Sequence, residues 1–141
     1  MSQNQTFPEA GNQPGLKDTQ TSQDLIHNAP IGVFKTTPGG RYLFANPALA
    51  WMYGYDSPEE LMTAVSDIGT QLYVDSRDRE EFTRFLENHG QVVNHESRLY
   101  RRDGSVFWAS RNAWVVLDEE GNIIHYQGFT TEITERKQAE D

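Results

Sequence analysis

The segment Gly40-Arg41-Tyr42-Leu43-Phe44-Ala45-Asn46-Pro47-Ala48 decides how this chain folds, because a strand changes into a helix within it. Residues 41–45 are apolar and aromatic enough for a strand. Asn46 is a preferred helix N-cap, and Pro47 suits the first helical position, where no backbone donor is needed. The segment therefore predicts a strand followed at once by a short helix, which Gly54 ends.

Toward the N-terminus the pattern predicts a second strand and a helix. Residues 31–37 indicate a strand, and Pro38-Gly39-Gly40 suits a tight turn, so the two strands form an antiparallel hairpin. Before the hairpin, a helix begins at Thr21 or Ser22 and is stopped by the proline at the end of 28–30. Residues 1–20 contain almost no large apolar side chains, and we expect a disordered leader or linker there.

Two more helices are expected before Gly90. Ser57 opens a short helix that ends near Thr63 or Val65, and its acidic first turn suits the helix dipole. Asp75 opens a longer helix, which Gly90 ends. The apolar residues of this longer helix, spaced to face a core together, are Phe82, Phe85 and Leu86.

The remaining third of the chain has the period of strands. Strands over 92–101, 106–117 and 123–131 are separated by an Asp103-Gly104 hairpin turn and by the polar turn 118–122. With the first hairpin they make five strands. The predicted fold class is α+β, a five-stranded antiparallel sheet with short helices on one face.

The order of these elements resembles that of the PAS domain family, and so do several short motifs. The segment 40–48 resembles the family's second strand and first core helix, and Arg101-Arg102-Asp103-Gly104 resembles its hairpin. Residues 128–137 are similar to its closing strand and Asp-Ile-Thr junction, with Glu132 in place of the aspartate. The resemblance covers about residues 22–140.

The resemblance implies a PAS fold and a sensory role. The sensory domain would span 21–131, and 132–141 would begin a C-terminal signalling helix. In such proteins that helix leads into an output module, most often a histidine kinase or a cyclic-dinucleotide cyclase, in a cytoplasmic bacterial-type signalling or two-component protein. The residues expected to transmit the signal are Glu132, Ile133 and Thr134.

Composition excludes several classes of function. The net charge is −9, from 12 Lys+Arg against 21 Asp+Glu. An acidic chain repels phosphate backbones and anionic lipids, so nucleic-acid partners are not expected. No apolar run approaches the roughly 20 residues of a membrane helix, so this segment should not insert into a membrane. The lack of cysteine excludes disulfides, thiolate metal sites and a cysteine-linked chromophore.

The polar residues do not indicate catalysis or a metal. The histidines, none of which forms a metal-spaced pair, are His27, His89, His95 and His125. Haem is not expected, although haem-binding relatives use a histidine of the long helix, because His89 lies in the final turn. Carboxylate pairs are better explained as solvated faces, so the domain is predicted not to be an enzyme. The cofactor is unknown, and a non-covalent flavin or small metabolite stays open.

The aromatic residues have two explanations. Core packing accounts for each of them singly, whereas the resemblance implies a ligand cavity between the sheet and the short helices. In the strand that begins at Val106, Ser110 and Asn112 belong to one alternating set. Their polar atoms suit contacts to a ligand or, equally, a solvated or dimer-facing side. The predicted pocket residues are Phe34, Phe44, Trp51, Tyr55, Tyr73, Phe82, Phe85, Trp108, Ser110 and Asn112.

Two functional hypotheses follow. In the first, the domain binds a small ligand or a partner and transmits the change through its C-terminal helix to an output domain. In the second, it is a ligand-free interaction module that sets the register of a dimer. A homodimer is expected in either case, with Leu25 and Ile26 of the N-terminal helix and the outer face of the sheet as its contacts.

Overall fold

A computed structural model describes residues 22–140 of the protein. Its centre is a five-stranded antiparallel sheet in the order β2-β1-β5-β4-β3. The strands are β1 (Gly32–Thr36), β2 (Tyr42–Ala45), β3 (Gln91–Tyr100), β4 (Val106–Leu117) and β5 (Ile123–Glu132). The predicted fold class is confirmed. The expected leader over 1–20, Thr21 and Asp141 lie outside the described residues.

Six helices connect or flank the strands within the described part of the chain. They are α1 (22–28), α2 (Pro47–Met52), α3 (Pro58–Ala64), α4 (Ile68–Gln71), α5 (Ser76–His89) and α6 (Thr134–Glu140). The caps expected for α2, α3 and α5 are present. Asn46 Oδ1 accepts a hydrogen bond from Leu49 N at 3.1 Å, and Ser57 Oγ accepts one from Glu60 N at 3.1 Å. Gly90 closes α5 with a φ of 78°, which glycine adopts without strain.

Two elements differ from the sequence prediction. The four-residue helix α4 was not expected, and its cap is Asp67, whose Oδ1 accepts from Gly69 N at 3.1 Å. A single helical turn gives too short an apolar pattern to be recognised. Glu132 ends β5 and does not begin the last helix, because α6 starts at Thr134.

The core lies between one face of the sheet and the helices α2 to α5. On β4, the residues that face these helices are Phe107, Ala109, Arg111 and Ala113, and all are buried. Side chains alternate between the two faces of a strand. The set that contains Trp108, Ser110 and Asn112 therefore faces away from the helices. On α5, Phe82 and Leu86 are buried, but Phe85 is 42% exposed, so the predicted three-residue stripe is wrong at that position.

Candidate functional site

Arg111 is a charged residue in the middle of the inner face of β4. It is only 5% exposed. Its guanidinium carbon lies 4.3 Å from the centre of the Phe82 ring and 4.8 Å from the centre of the Tyr73 ring. Its Nη2 donates a hydrogen bond of 3.1 Å to Ser97 Oγ. Two aromatic rings and one hydroxyl group thus surround the buried charge.

The charge of Arg111 has no carboxylate partner within 4.0 Å among residues 22–140. An arginine side chain keeps its proton in proteins, so a full positive charge is buried here. Burying a charge without an opposite charge is strongly unfavourable. The contacts with two rings, worth about 0.5–2 kcal/mol each, offset part of this cost. Arg111 Nε also lacks a hydrogen-bond partner in the described part of the chain.

Two tyrosines near Arg111, the half-buried Tyr42 and the buried Tyr53, keep their phenol protons. Burial is the main cause that raises the pKa of Tyr42 well above its ordinary value of 10.0, and the neighbouring Tyr53 raises it further. Burial also raises the pKa of Tyr53 to about 12. Neither side chain is a phenolate near neutral pH. Neither supplies the negative charge that Arg111 lacks.

A small cavity of about 10 Å³ lies among these groups. Three apolar residues of its wall are Phe34, Ile68 and Phe82. The polar residues of its wall, which we call the interior polar cluster, are Thr36, Tyr42, Tyr53, Arg79, Arg111 and Thr130. No residue in this wall is acidic. Thr130 Oγ1 is buried and has no hydrogen-bond partner among residues 22–140, and the same is true of the Tyr73 hydroxyl beside Arg111.

His95 forms the other side of this interior. It pairs with Arg111 across β3 and β4, and its Nε2 lies 2.9 Å from Glu81 Oε1. Burial lowers the pKa of His95, and the positive charge of Arg111 lowers it further, against the opposing effect of Glu81. Its Nδ1 is buried without a partner among the described residues. The imidazole is therefore held in its neutral form near neutral pH.

Three of the ten predicted pocket residues meet at this cavity. Phe34 and Phe82 line it, and Tyr73 packs against Arg111. The other seven lie elsewhere. Trp51 is 64% exposed on α2, and Tyr55 lines an external groove beside α3. Phe85 lies in a surface groove between α5 and β3.

The last four of those seven belong to the outer face of the sheet. They are Phe44, Trp108, Ser110 and Asn112. Asn112, for example, accepts a hydrogen bond of 3.0 Å from Asn94 N across the bulge in β3. Side chains of a strand alternate between the two faces of the sheet. The predicted pocket residues of β4 belong to the outer face, whereas the cavity lies at the inner face.

Sequence reasoning missed the polar half of the cavity wall. Arg111 is flanked in its own alternating set by the small residues Ala109 and Ala113. The sequence did contain one signal for it. Arg111 stands in the middle of an alternating set of β4 residues that is otherwise apolar. Tyr42 was part of the motif over 40–48, but nothing in the spacing of Tyr42 and Tyr53 showed that both line one cavity.

The predicted transmission junction lies where β5 passes into α6. Glu132 Oε2 forms an ion pair with Arg101 Nη2 at 2.9 Å and accepts a hydrogen bond from Thr134 Oγ1 at 3.0 Å. Both backbone polar groups of Trp108 form hydrogen bonds to this junction. Its backbone N donates to Thr134 Oγ1 at 3.1 Å, and its carbonyl accepts from Ile133 N at 2.9 Å.

Arg101 connects this junction with the interior. Its Nη1 donates a hydrogen bond of 2.7 Å to the carbonyl of Met52 at the end of α2. Its guanidinium carbon lies 4.5 Å from the centre of the Phe107 ring. Phe107 packs edge-to-face against Tyr53, with 5.3 Å between the ring centres. A continuous chain of contacts thus leads from the interior polar cluster to Glu132.

Helix α6 rests on the outer face of the sheet through polar contacts. Glu96 of β3 forms ion pairs with Arg136 and with Lys137, the latter at 3.2 Å. Lys137 Nζ also lies 4.6 Å from the centre of the Trp108 ring. The hydrogen bonds from Arg136 and then Lys137 lower the pKa of Glu96. Helix α6 has no buried residue, so its position depends on these contacts.

The outer face also carries an apolar groove of about 310 Å³ beside α1. Its apolar side chains include Ile26, Val33, Phe44 and Trp114. On α1, Leu25 is 68% exposed and Ile26 is 38% exposed. The two residues predicted to form a dimer contact therefore lie at or beside this groove.

The fold of the sheet agrees with that of known proteins. A family model described as the PAS domain matches residues 30–135. The chain belongs to the PAS domain family. The bacterioopsin transcriptional activator of Halobacterium salinarum is 33% identical to this PAS domain over 129 residues, which are 87% of this chain and 18% of that protein. The domain thus spans less than a fifth of that relative.

Solved structures share the same fold. An RNA-binding light-oxygen-voltage receptor superposes with a TM-score of 0.73 at 23% identity, over 93% of this chain and 38% of that one. A PAS domain from Colwellia psychrerythraea superposes with a TM-score of 0.70 at 21% identity, over 84% of this chain and 99% of that one. At these identities the structures show the fold alone.

Family membership assigns the chain a general role. PAS domains are sensory modules of signalling proteins, and this domain is a sensory module and not an enzyme. Among residues 22–140, no helix is both long and apolar enough to cross a membrane. The same residues contain no cluster of three or more histidine, aspartate or glutamate side chains that could hold a metal ion.

Proposed function

We propose that this PAS domain senses a small ligand or a partner at its interior polar cluster and passes the change to α6 through Glu132, Ile133 and Thr134. One observation carries the proposal. The Arg101 side chain contacts the end of α2, the interior Phe107 ring and Glu132 at once. A change in the interior that moves the Phe107 ring therefore acts on the side chain that holds the start of α6.

The signal consists of a difference in free energy between two arrangements of the junction. A ligand shifts such an equilibrium only by as much as its affinities for the two arrangements differ, typically about 1–3 kcal/mol. Helix α6 is suited to this range, because ion pairs and backbone hydrogen bonds hold it and no buried apolar residue does. Exposed ion pairs contribute about 1 kcal/mol or less each.

The output of the sensor is proposed to lie in a longer, cytoplasmic signalling protein. The family resemblance favours a histidine kinase or a cyclase after α6. The relative named as a transcriptional activator supports a regulatory output of another kind. In each case α6 is the element that would connect the PAS domain to the output.

Amide signals of α6 test the coupling directly. Tyr53→Phe removes one hydroxyl group from the interior polar cluster and retains the ring that contacts Phe107. We expect this change to shift the NMR signals of residues 134–140. In the Arg101→Gln background, the same interior change should leave those signals in place.

The control for this experiment is Glu60→Gln. Glu60 forms an exposed ion pair with Arg102 at 3.6 Å and does not contact the junction. In the Glu60→Gln background, Tyr53→Phe should shift the NMR signals of residues 134–140 by as much as it does in the native chain. Equal shifts with and without Arg101 would show that this side chain does not carry the change.

A second candidate function, a module that sets the register of a homodimer, is favoured by the apolar groove on the outer face. A second copy of the chain suits the groove, because Leu25 and Ile26 of one copy would cover Phe44 and Trp114 of the other. Apolar side chains gathered in one place on a surface commonly mark an interface.

Sedimentation of two charge variants tests the dimer. Leu25→Glu should shift the native chain from dimer to monomer, because a carboxylate would be buried in the interface. Val93→Glu is the matched control, since Val93 is 62% exposed in the groove between α5 and β3, away from α1. A monomeric native chain, or a dimer unaffected by Leu25→Glu, would contradict this interface.

A further inference from the structure

We propose that the cavity of the interior polar cluster is a binding site for a compact monovalent anion, held between Arg111 and Arg79. The inference deepens the proposed function by naming a class of ligand, and in its consequence for signalling it rests on that function. Binding itself does not depend on α6. The site can therefore be tested without any measurement on the junction.

The interior leaves a buried positive charge unbalanced. Arg111 is 5% exposed and charged, and no carboxylate lies within 4.0 Å of it among residues 22–140. Arg79 lines the same cavity and also forms no ion pair within the described part of the chain. Two arginine side chains thus line one cavity whose wall contains no acidic residue. An anion between them would balance the buried charge of Arg111.

Several hydrogen-bond donors line the same cavity. Tyr42 and Tyr53 are protonated phenols, and Thr36 and Thr130 bring hydroxyl groups to the same wall. Thr130 Oγ1 and Arg111 Nε are buried without hydrogen-bond partners in residues 22–140. Buried polar groups are nearly always hydrogen-bonded in native proteins. One acceptor in the cavity would receive hydrogen bonds from several of these groups together.

The size of the cavity limits the ligand to a small ion. The cavity of about 10 Å³ has room for the centre of about one water-sized particle. A halide ion fits with a small expansion, and formate fits if the Arg79 side chain moves outward. Sulfate and larger carboxylates do not fit. A single water molecule is the alternative occupant of this volume, but it brings no charge to balance Arg111.

Arg79 offers a route to the cavity. It lies on α5 and is half-buried, whereas Arg111 is enclosed. Its side chain passes beside Gly40 and Gly69, which have no side chains to obstruct it, and Asp67 Oδ1 lies next to the same two glycines. Rotation of this one side chain would open the cavity to solvent without unfolding any strand or helix.

The primary test is an NMR titration of the full 141-residue chain with sodium chloride and, separately, with sodium formate. Sodium gluconate keeps the ionic strength constant, because gluconate is too large for the cavity. We expect saturable shifts of the backbone amide signals of Arg111, Ala113 and Thr130. Which salt gives the lower dissociation constant distinguishes a halide site from a site for a small carboxylate.

Variants decide whether the shifts come from this site. Arg111→Gln should weaken binding about tenfold or more, because a charged donor is lost. Arg84→Gln is the matched control, since Arg84 is an exposed arginine of the same helix as Arg79 and forms no ion pair in the described residues. It should bind as the native chain does. If Arg111→Gln does not fold, Arg79→Gln replaces it, because Arg79 is only half-buried. This variant should also weaken anion binding.

A crystal grown in sodium bromide gives an independent result on the native chain. We expect an anomalous bromide peak in the cavity, within hydrogen-bonding distance of Arg111. A water molecule alone in the cavity, or shifts that persist unchanged in both Arg111→Gln and Arg79→Gln, would overturn the proposal. Neither outcome would bear on the coupling of the interior to α6, because that coupling is measured without any added anion.

Discussion

His95 and Arg111 face each other across β3 and β4 beneath α5, and we expect the burial of His95 beside Arg111 to make the stability of the domain depend on pH. Burial lowers the pKa of His95, and the charge of Arg111 lowers it further, while Glu81 and Asp78 oppose the shift. The unfolded chain therefore binds more protons than the native one between the lowered native pKa and the ordinary value of 6.5. Stability is fully present above this window and decreases as the pH falls through it.

His95→Gln should flatten that dependence. We expect the free energy of unfolding of the native chain, measured with urea, to decrease as the pH is lowered below 6.5. In His95→Gln the decrease should be smaller, because the group that takes up the proton on unfolding is gone. His89→Gln, at the exposed end of α5, should behave like the native chain. An unchanged slope in His95→Gln would show that another group causes the dependence.

Gly128 shows how closely the strands of the sheet approach at one residue. A Cβ atom built there would lie 1.9 Å from the carbonyl oxygen of Asn112 and 2.7 Å from Ala113 Cα. Both are backbone atoms of β4, so neither can move aside without disturbing the ladder between β4 and β5. The position tolerates glycine alone.

Gly128→Ala should therefore destabilise the domain by about 3 kcal/mol, the upper end of the usual cost of overpacking. Gly39→Ala is the matched control, because the nearest atom to its added Cβ is a threonine side-chain oxygen at 3.9 Å. Urea unfolding of both variants checks the difference. Similar stabilities for the two alanine variants would contradict the close approach.

The sequence predicted which residues are apolar but not which way each one faces. Trp51 and Phe85 are as aromatic as Phe82, yet they are 64% and 42% exposed. Strand alternation leaves two sets of side chains, and the side covered by helices is decided by tertiary packing. Arg111 belongs to the covered set, and only the sheet as a whole shows this.

At the scale of elements, Asn46 holds three segments together. Its Oδ1 accepts hydrogen bonds from Leu49 N at 3.1 Å and from Val33 N at 2.8 Å. Its Nδ2 donates to the carbonyl of Ile26 at 2.9 Å and to that of Ile31 at 3.0 Å. It is 1% exposed. One carboxamide thus caps α2, pairs with β1 and fixes the end of α1.

Asn46→Ser separates the cap from the attachment of α1. A serine still accepts from the backbone of α2, but it cannot reach the carbonyl of Ile26. We expect hydrogen exchange to accelerate over 22–28 more than over 47–52, with a loss of stability of about 2–3 kcal/mol from the unpaired buried groups. Ser57→Ala, which removes only the cap of α3, should cost about 1 kcal/mol and leave 22–28 unchanged. Unchanged exchange over 22–28 in Asn46→Ser would contradict the attachment.

Most element boundaries were predictable because their signals are local. Asn46, Ser57 and Asp75 accept hydrogen bonds from the first turns of their helices, and Gly90 ends α5 as expected. Helix α4 was missed because one turn carries too few residues to show a period. The end of β5 was placed one residue early, since Glu132 is polar but still pairs with Ala109 in the sheet.

At the scale of the whole molecule, the sheet separates two environments. Its inner face encloses the interior polar cluster, and its outer face carries α6 and the apolar groove beside α1. Arg101 is the side chain that contacts the interior ring of Phe107 and the first residue of the junction. The topology could be predicted from the resemblance, but this connection could not, because it joins residues 31 positions apart.

The measurement that tests the account most directly is a double-mutant cycle between Tyr53 and Glu132, read as the opening free energy of α6 by hydrogen exchange. Tyr53→Leu removes the ring that packs against Phe107, and Glu132→Gln removes the ion pair with Arg101. The account predicts an interaction free energy of at least about 0.5 kcal/mol, as for residues of one network. Effects on α6 that add within about 0.3 kcal/mol would show that the interior and the last helix are independent.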